Sequence, residues 1–205
     1  MIAVALSGGV DSAAAAILLH ENGEETIGFT LYFGSDIPKP EQIDRAARLC
    51  RHLGISHHVL DVHEEFHTIK SYFCREYLAG RTPNPCAVCN RDIKFGLFLE
   101  RALTHGAEQI ATGHYVRKGV SYGRYYLANA REPKSQEYFL GLLSQRSIER
   151  SVFPLEDMTR EDAERLVSGF SIEILRMKSS QDACFIGNEG YVPFIESYTG
   201  SRTAP

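Results

Sequence analysis

The sequence predicts an α/β fold in which a parallel sheet is covered by helices on both faces. Three observations predict it. Apolar strand-like runs alternate with helical stretches along residues 2–62. A Gly-rich turn follows the first run directly. The chain is 43% hydrophobic and 23% charged, the balance of an ordinary globular domain.

The elements follow in order. IAVAL (2–6) is a short apolar run read as a buried strand, and SGGVDS (7–12) is the Gly-rich turn. AAAAILLHENG (13–23) is a strong helix former that ends at Gly23, a C-cap residue. ETIGFTLYF (25–33) is a second strand and GSDIPKP (34–40) a loop. EQIDRAARLCRHLGI (41–55) places Ile43, Ala46, Leu49, Cys50 and Leu53 on one stripe, hence an amphipathic helix. Its Arg45, Arg48 and Arg51 recur on one face and read as solvated, with spacing that also suits a phosphate backbone. HHVLDV (57–62) is a third strand and HEEFHTIKSYFCREYLAG (63–80) a helix.

RTPNPCAVCNR (81–91) reads as an exposed irregular loop because Pro83 and Pro85 interrupt regular structure. DIKFGLFLERALTHG (92–106) returns to a helical pattern, and EQIATGHY (108–115) is a fourth strand ending in a Gly turn. VSYGRYYLANA (120–130) reads as a hairpin and SQEYFLGLLS (135–144) as a helix. TREDAERLVSGF (159–170) begins with Thr159 as N-cap and Asp162 three residues later, close to a capping box. NEGYVPFIESYTGSRTAP (188–205) thins into turn residues.

Composition narrows the function. No apolar run reaches the ~18 residues of a membrane span, so no membrane association is expected. MIAVALSGG has no basic n-region, so a cytoplasmic location is expected. The net charge of −4 makes a DNA partner unexpected, although a local basic patch can still hold a nucleic acid against the global sign. Five cysteines, Cys50, Cys74, Cys86, Cys89 and Cys184, are odd in number and unevenly spaced, which points to metal or redox chemistry rather than a disulfide framework. Cys50 and Cys74 fall on apolar helical stripes and read as core.

Strand–SGGVDS–helix is a phosphate cradle in pattern. Gly8 and Gly9 let the backbone approach an anion, the helix N-terminus points its N–H groups at it, and Ser7 and Ser12 add hydroxyls. Asp11 is a candidate Mg²⁺ ligand beside a pyrophosphate. The hexapeptide is neither a Walker A loop nor a GxGxxG fingerprint. It resembles the PP-loop of the ATP pyrophosphatases, which cleave ATP to AMP and pyrophosphate.

Cys86-x-x-Cys89 is flanked by Arg81 and Arg91, which would favour thiolate. No second CxxC accompanies it, so a Cys₄ metal site needs ligands from elsewhere. Cys184 in SQDACFIG reads equally as a strand-edge core residue or a site residue. HEEFH (63–67) matches the HExxH template, but a zincin helix needs a third ligand and another architecture. His114 of ATGHY is the histidine that adjoins a candidate site.

SGGVDS (7–12), GRTPNPCAVCNR (80–91), ATGHY (111–115) and SQDACFIG (180–187) occur in this order over essentially the whole chain. Together they resemble the catalytic domain of the tRNA-specific 2-thiouridylase family, in the PP-loop superfamily with its adenine nucleotide α hydrolase-like, Rossmann-like fold. The resemblance implies an enzyme that adenylates uridine 34 of tRNA with ATP and replaces its O2 by sulfur. It implies an ATP site at Ala5, Leu6, Ser7, Gly8, Gly9, Val10, Asp11 and Ser12, with Leu31 near adenine and Gly113 of ATGHY. Asn84, Pro85 and Cys86 would meet the target base, and Lys134, Ser135 and Gln136 would contact tRNA. Cys89 matches the family's nucleophile and Cys184 its persulfide cysteine, so the catalytic set is Cys89, Cys184 and Asp11.

Two departures accompany the resemblance. Many members carry Asp at the position of Cys86, and Lys-Asp-Gln-Ser where this chain has Lys134-Ser135-Gln136-Glu137. Two sulfur routes stay open: a persulfide on Cys184, or a [4Fe–4S] cluster on Cys86, Cys89 and Cys184 with one iron free. The sulfur source is a desulfurase, a sulfur-relay protein or free sulfide. Residues 1–187 are expected to form the catalytic domain, and 188–205 a tail leading toward the β-rich region with which the family continues. The competing functions are a PP-loop enzyme acting on a small molecule and a non-catalytic nucleotide- or tRNA-binding module.

Overall fold

A computed structural model describes residues 1–34, 37–170, 183–187 and 190–200. Five strands form one parallel sheet: β1 (Ile2–Ala5), β2 (Thr26–Tyr32), β3 (His57–Asp61), β4 (Gln109–Ala111) and β7 (Ser151–Val152), in the order β3-β2-β1-β4-β7. β1 pairs with β2 on one side and β4 on the other, so the strand order reverses beside it. The ends of β1 and β4 therefore open a crevice at the switch point, where doubly wound sheets bind ligands.

Alternation along β1 separates two cores. Ile2 and Val4 pack on one face with α1 (Val10–Glu21), α2 (Pro40–His52) and α7 (Arg160–Ser168). Ala3 packs on the other face with Phe29 of β2, α3 (His63–Leu78) and α5 (Phe98–Thr104). Ala13, Ala14, Ala15 and Ala16 of α1 are all buried, so this helix runs through the core with small residues on every side. Cys50 and Cys74 are buried, as their apolar stripes predict.

The predicted hairpin is β5 (Val116–Ser121) and β6 (Arg124–Asn129), turned at Tyr122 and Gly123, both with positive φ. The capping box at Thr159 and Asp162 opens α7, with both of its hydrogen bonds formed.

Three expectations change, and one strand comes without an expectation. The Pro-rich stretch is helical at its end: α4 (Pro85–Cys89) starts with Pro85 in its first turn, where the missing N–H costs nothing. The side chain of Asn84 caps it by accepting the Ala87 N–H at 3.0 Å. Residues 135–144 form only a 3₁₀ turn, Glu137–Leu140, and a short helix α6 (Gln145–Glu149) follows it. β7, two residues long, gave no readable strand pattern.

The stretch read as turns contains α8 (Tyr191–Thr199), which docks on α3. Ile195 joins Phe73 and Cys74 in a small core, and Tyr191 stacks on Tyr77 at 4.7 Å. Residues 180–182 of the SQDACFIG motif lie outside the described residues.

Candidate active site

The Ser7–Ser12 loop leaves β1 and is clamped from both sides. On one side α2 reaches in: Arg45 Nε donates to the Gly8 carbonyl at 3.1 Å and Gln42 Nε2 to the Ser7 carbonyl at 3.2 Å. Gly8 has φ +71°, and a Cβ there would lie 2.3 Å from the Gln42 carbonyl oxygen. On the other side Gly113 presses its backbone against the start of α1, where a Cβ would meet Asp11 C at 2.6 Å. Within the loop, Ser12 Oγ accepts the Ser7 N–H at 3.1 Å and donates to the Gly9 carbonyl at 3.0 Å. Gly9 caps α1 without a side-chain hydrogen bond, which leaves the helix N–H groups facing outward for an anion.

Arg45 corrects the reading of its helix face. Arg48 and Arg51 are exposed, but Arg45 is only 8% exposed and holds the loop. No local signal could reveal this, because its partner lies 37 residues earlier in the chain.

Asp11 is held by two residues the sequence reading did not single out. Tyr115 Oη donates to one carboxylate oxygen at 2.7 Å and Arg160 Nη1 to the other at 2.7 Å. Burial pushes the Asp11 carboxyl up, against the opposing pull of the Tyr115 hydroxyl and the Arg160 guanidinium. Burial, with the bond to Asp11, also raises the Tyr115 phenol well above its ordinary value. A magnesium ion at Asp11 would have to compete with Arg160, so the donor set does not fit a ready metal site.

The cleft at the switch point has a volume of about 240 Å³. Ala5, Leu6, Ser7, Asp11, Ser12, Leu31 and Gly113 of the expected ATP site line it, together with Phe33, Pro38, Thr112 and His114. Gln136, expected at tRNA, lines this cleft too, and its Oε1 accepts the Tyr115 N–H at 3.1 Å. Ser135 Oγ likewise bonds within the fold, accepting the Ala130 N–H, whereas Lys134 is exposed. His114 is enclosed: burial, and then the charge of Lys94, push its imidazole down to about 3, and Nδ1 pairs with Thr112 Oγ1 at 2.8 Å.

Lys94 also lines the cleft, and it is the basic side chain among the lining residues. It lies in a π-helical segment, Asn90–Leu97, that continues directly from α4.

The cysteines sit at the other end of that helical run. Cys89 is buried, Cys86 half-buried and Cys184 exposed. Burial pushes the Cys89 thiol up to about 12, and it raises Cys86 as well. Lys94 pulls all three thiols the other way.

The arginines expected to favour thiolate do not do so. Arg81 is paired with Glu76 at 2.5 Å and Arg91 with Asp92 at 2.6 Å. The cation that serves the thiols is Lys94, unmarked in the sequence because a helical pattern does not say which way a π turn aims it.

Of the residues expected at the base, Pro85 is buried, while Asn84, which caps α4, and Cys86 are half-buried. The expected [4Fe–4S] ligand set does not fit this geometry: among the described residues no three His, Cys, Asp or Glu side chains gather to hold a metal ion. That result also covers His63 and His67 of HEEFH; His67 Nε2 pairs with Tyr198 Oη at 2.8 Å. No helix among the described residues is long and apolar enough to cross a membrane.

Comparison with known proteins bears on this site. A family model described as the tRNA methyl transferase HUP domain matches residues 1–188. A tRNA-specific 2-thiouridylase MnmA of Pelobacter propionicus is 43% identical over 205 aligned residues, covering 95% of this chain and 57% of the relative. The MnmA of Trichlorobacter lovleyi is 42% identical, covering 100% of this chain and 59% of that protein. The chain thus spans a little under three fifths of the length of these relatives. Among solved structures, the U34-tRNA thiolase NcsA of Methanococcus maripaludis, with its [4Fe–4S] cluster, shares the fold. Its TM-score is 0.56 at 18% identity, covering 97% of this chain and 63% of that one.

Proposed function

The chain belongs to the tRNA methyl transferase HUP-domain family, that of the tRNA-specific 2-thiouridylases, and from that premise we propose that it converts uridine 34 of tRNA to 2-thiouridine with ATP. One observation carries the reading. Lys94 lines the cleft into which the phosphate cradle opens, and it lies on the same continuous helical run as Cys86 and Cys89.

The uridine O2 is a poor leaving group, so it must be activated before sulfur can replace it. O2 attacks the α-phosphorus of ATP and pyrophosphate leaves into the Ser7–Ser12 cradle, where backbone N–H groups receive its charge. Leu31 and Gly113 border the nucleotide, and Gln136 orients Tyr115 beside it. The base must turn out of the anticodon stack to reach this point. Exposed Lys134 is suited to the tRNA backbone, while Ser135 and Gln136 support the site from within.

Sulfur arrives as a persulfide on Cys184, the exposed thiol, loaded by a desulfurase or relay protein. Its terminal sulfur attacks C2 of the adenylated base and AMP leaves. Cys89 then attacks the inner sulfur of Cys184, which frees the thiolated base and leaves a Cys89–Cys184 disulfide for an external thiol to reduce. In this reading residues 1–187 are the catalytic unit, with α8 of the following stretch docked back on α3.

ATP turnover under anaerobic, reducing conditions tests the reading, with and without bulk tRNA. AMP and pyrophosphate that appear only with tRNA are expected. ADP as the product, or AMP formed equally without tRNA, contradicts it and points to a small-molecule substrate.

A further inference from the structure

Lys94 belongs to a segment built in an unusual way. Asn90–Leu97 is a π-helix eight residues long, and Phe98 N–H closes it by donating to the Ile93 carbonyl five residues back. Such turns are rare and tend to mark functional sites. Gly96 permits this one, because a Cβ there would lie 2.8 Å from the Arg91 carbonyl oxygen, also five residues back.

The widened turn does two things for Lys94. It keeps the residue half-buried while placing it on the wall of the nucleotide cleft. It also separates it from the carboxylates nearby: Asp92 is taken by Arg91, and Lys94 forms no ion pair or hydrogen bond among the described residues. The cleft therefore presents an ammonium group without a counter-ion. Its carboxylate, Asp11, is already engaged by Arg160. A half-buried ammonium in such a cleft calls for an anionic ligand.

Position indicates which anion. The pyrophosphate end of ATP belongs to the Ser7–Ser12 cradle, and the base must enter from the side of α4, which carries Cys86 and Cys89. The phosphorus under attack lies between the two. Lys94 lies five residues beyond Cys89 on the same helical run, and on the wall of the cleft that the cradle residues Ser7, Asp11 and Ser12 also line.

We propose that Lys94 is a catalytic residue of the adenylation step, its ammonium bound to the non-bridging oxygens of the ATP α-phosphoryl group. This rests on the function proposed above. In the step, uracil O2 supplies the electron pair of the new O–P bond and the N3 proton passes to solvent. The bond from the α-phosphorus to the bridging oxygen breaks, and pyrophosphate leaves with that pair. Negative charge gathers on the α-phosphoryl oxygens at the transition state, where a fixed ammonium gains most. The same cation continues to face the thiols when AMP leaves, so one side chain serves both halves of the reaction.

Single-turnover formation of AMP from α-labelled ATP with uridine-34 tRNA tests this, in wild-type, Lys94→Met and Lys94→Arg proteins. Dissociation constants for a non-cleavable ATP analogue are measured alongside. Lys94→Met is expected to lower the AMP rate by about 10²–10³ at saturating ATP, as loss of one charge-stabilising donor does. Its analogue affinity should change far less, and Lys94→Arg should recover part of the rate. Wild-type protein that forms no AMP with tRNA overturns the proposed function and this inference with it. Wild-type protein that forms AMP, matched by Lys94→Met, overturns this inference alone. A loss accounted for wholly by weaker analogue binding, or no recovery with Lys94→Arg, also overturns it, because Lys94 would then bind or support rather than catalyse.

Discussion

The nucleotide cleft and the cysteine cluster beyond Lys94 are built to different standards. At the nucleotide end every part of the Ser7–Ser12 loop is fixed from outside: Arg45 and Gln42 hold its carbonyls, Gly113 abuts it, and Tyr115 and Arg160 hold Asp11. At the sulfur end Cys184 is exposed, and burial pushes the Cys86 and Cys89 thiols up. In the function proposed above, the difference follows from the chemistry assigned to each part. Phosphate binding rewards donors that are in place beforehand. Thiol chemistry gains from restraint, since an exposed reactive thiolate is open to oxidation.

Breaking the rigid end should give the largest effects. Gly8→Ala forces a side chain onto the Gln42 carbonyl at positive φ. It should destabilise the fold by about 1–3 kcal/mol through overpacking and abolish ATP binding, read by urea melts and isothermal titration. Retained ATP affinity would mean the loop is softer than its packing implies.

Arg45→Ala comes next. It removes a charged donor to the Gly8 carbonyl, a loss of about 1.5–3 kcal/mol, and should weaken ATP binding while leaving the thiols untouched. Arg48→Ala, on the exposed side of the same helix, is the control and should do neither.

A pH series probes the enclosed His114. Its imidazole stays neutral in the folded protein down to about 3, while the unfolded chain takes up a proton near 6.5. Stability present above pH 6.5 is therefore lost as the pH falls toward the folded value, at up to roughly 1.4 kcal/mol per pH unit. His114→Asn should flatten that slope between pH 7 and 5. An unchanged slope would show that His114 is protonated without cost.

The smallest effect is expected at Arg91. Its partner is Asp92 at the surface, so Arg91→Ala should leave the alkylation rate of the cysteines unchanged at fixed pH. A slower rate would restore the assignment of thiolate support to the flanking arginines.

The same contrast explains what could be read from the sequence. The Ser7–Ser12 cradle is local: an apolar strand, two glycines and a helix former lie side by side, and the fold follows from their order. The Thr159–Asp162 box is local in the same way. Arg45, Tyr115 and Arg160 were not readable as site residues, because they act on a loop that lies far from them along the chain.

Pro83 and Pro85 read as breakers, yet Pro85 begins a helix once Asn84 caps it. The π turn has no signal of its own in a helical pattern, and so Lys94 went unmarked. The helix at Tyr191–Thr199 was hidden because its stability comes from burying Ile195 against α3 rather than from its own composition.

The central claim of the proposed function is that ATP is held by the cradle and that Cys89 releases the thiolated base from Cys184, two tasks that one substitution can separate. The direct measurement gives Cys89→Ser protein ATP, tRNA and a persulfide donor under anaerobic conditions. Nucleoside mass spectrometry then counts 2-thiouridine at position 34, and ATP affinity is measured on the same sample. The account predicts unchanged ATP affinity and no 2-thiouridine. Thiolation at the wild-type rate, or ATP binding lost together with the thiol, would contradict it.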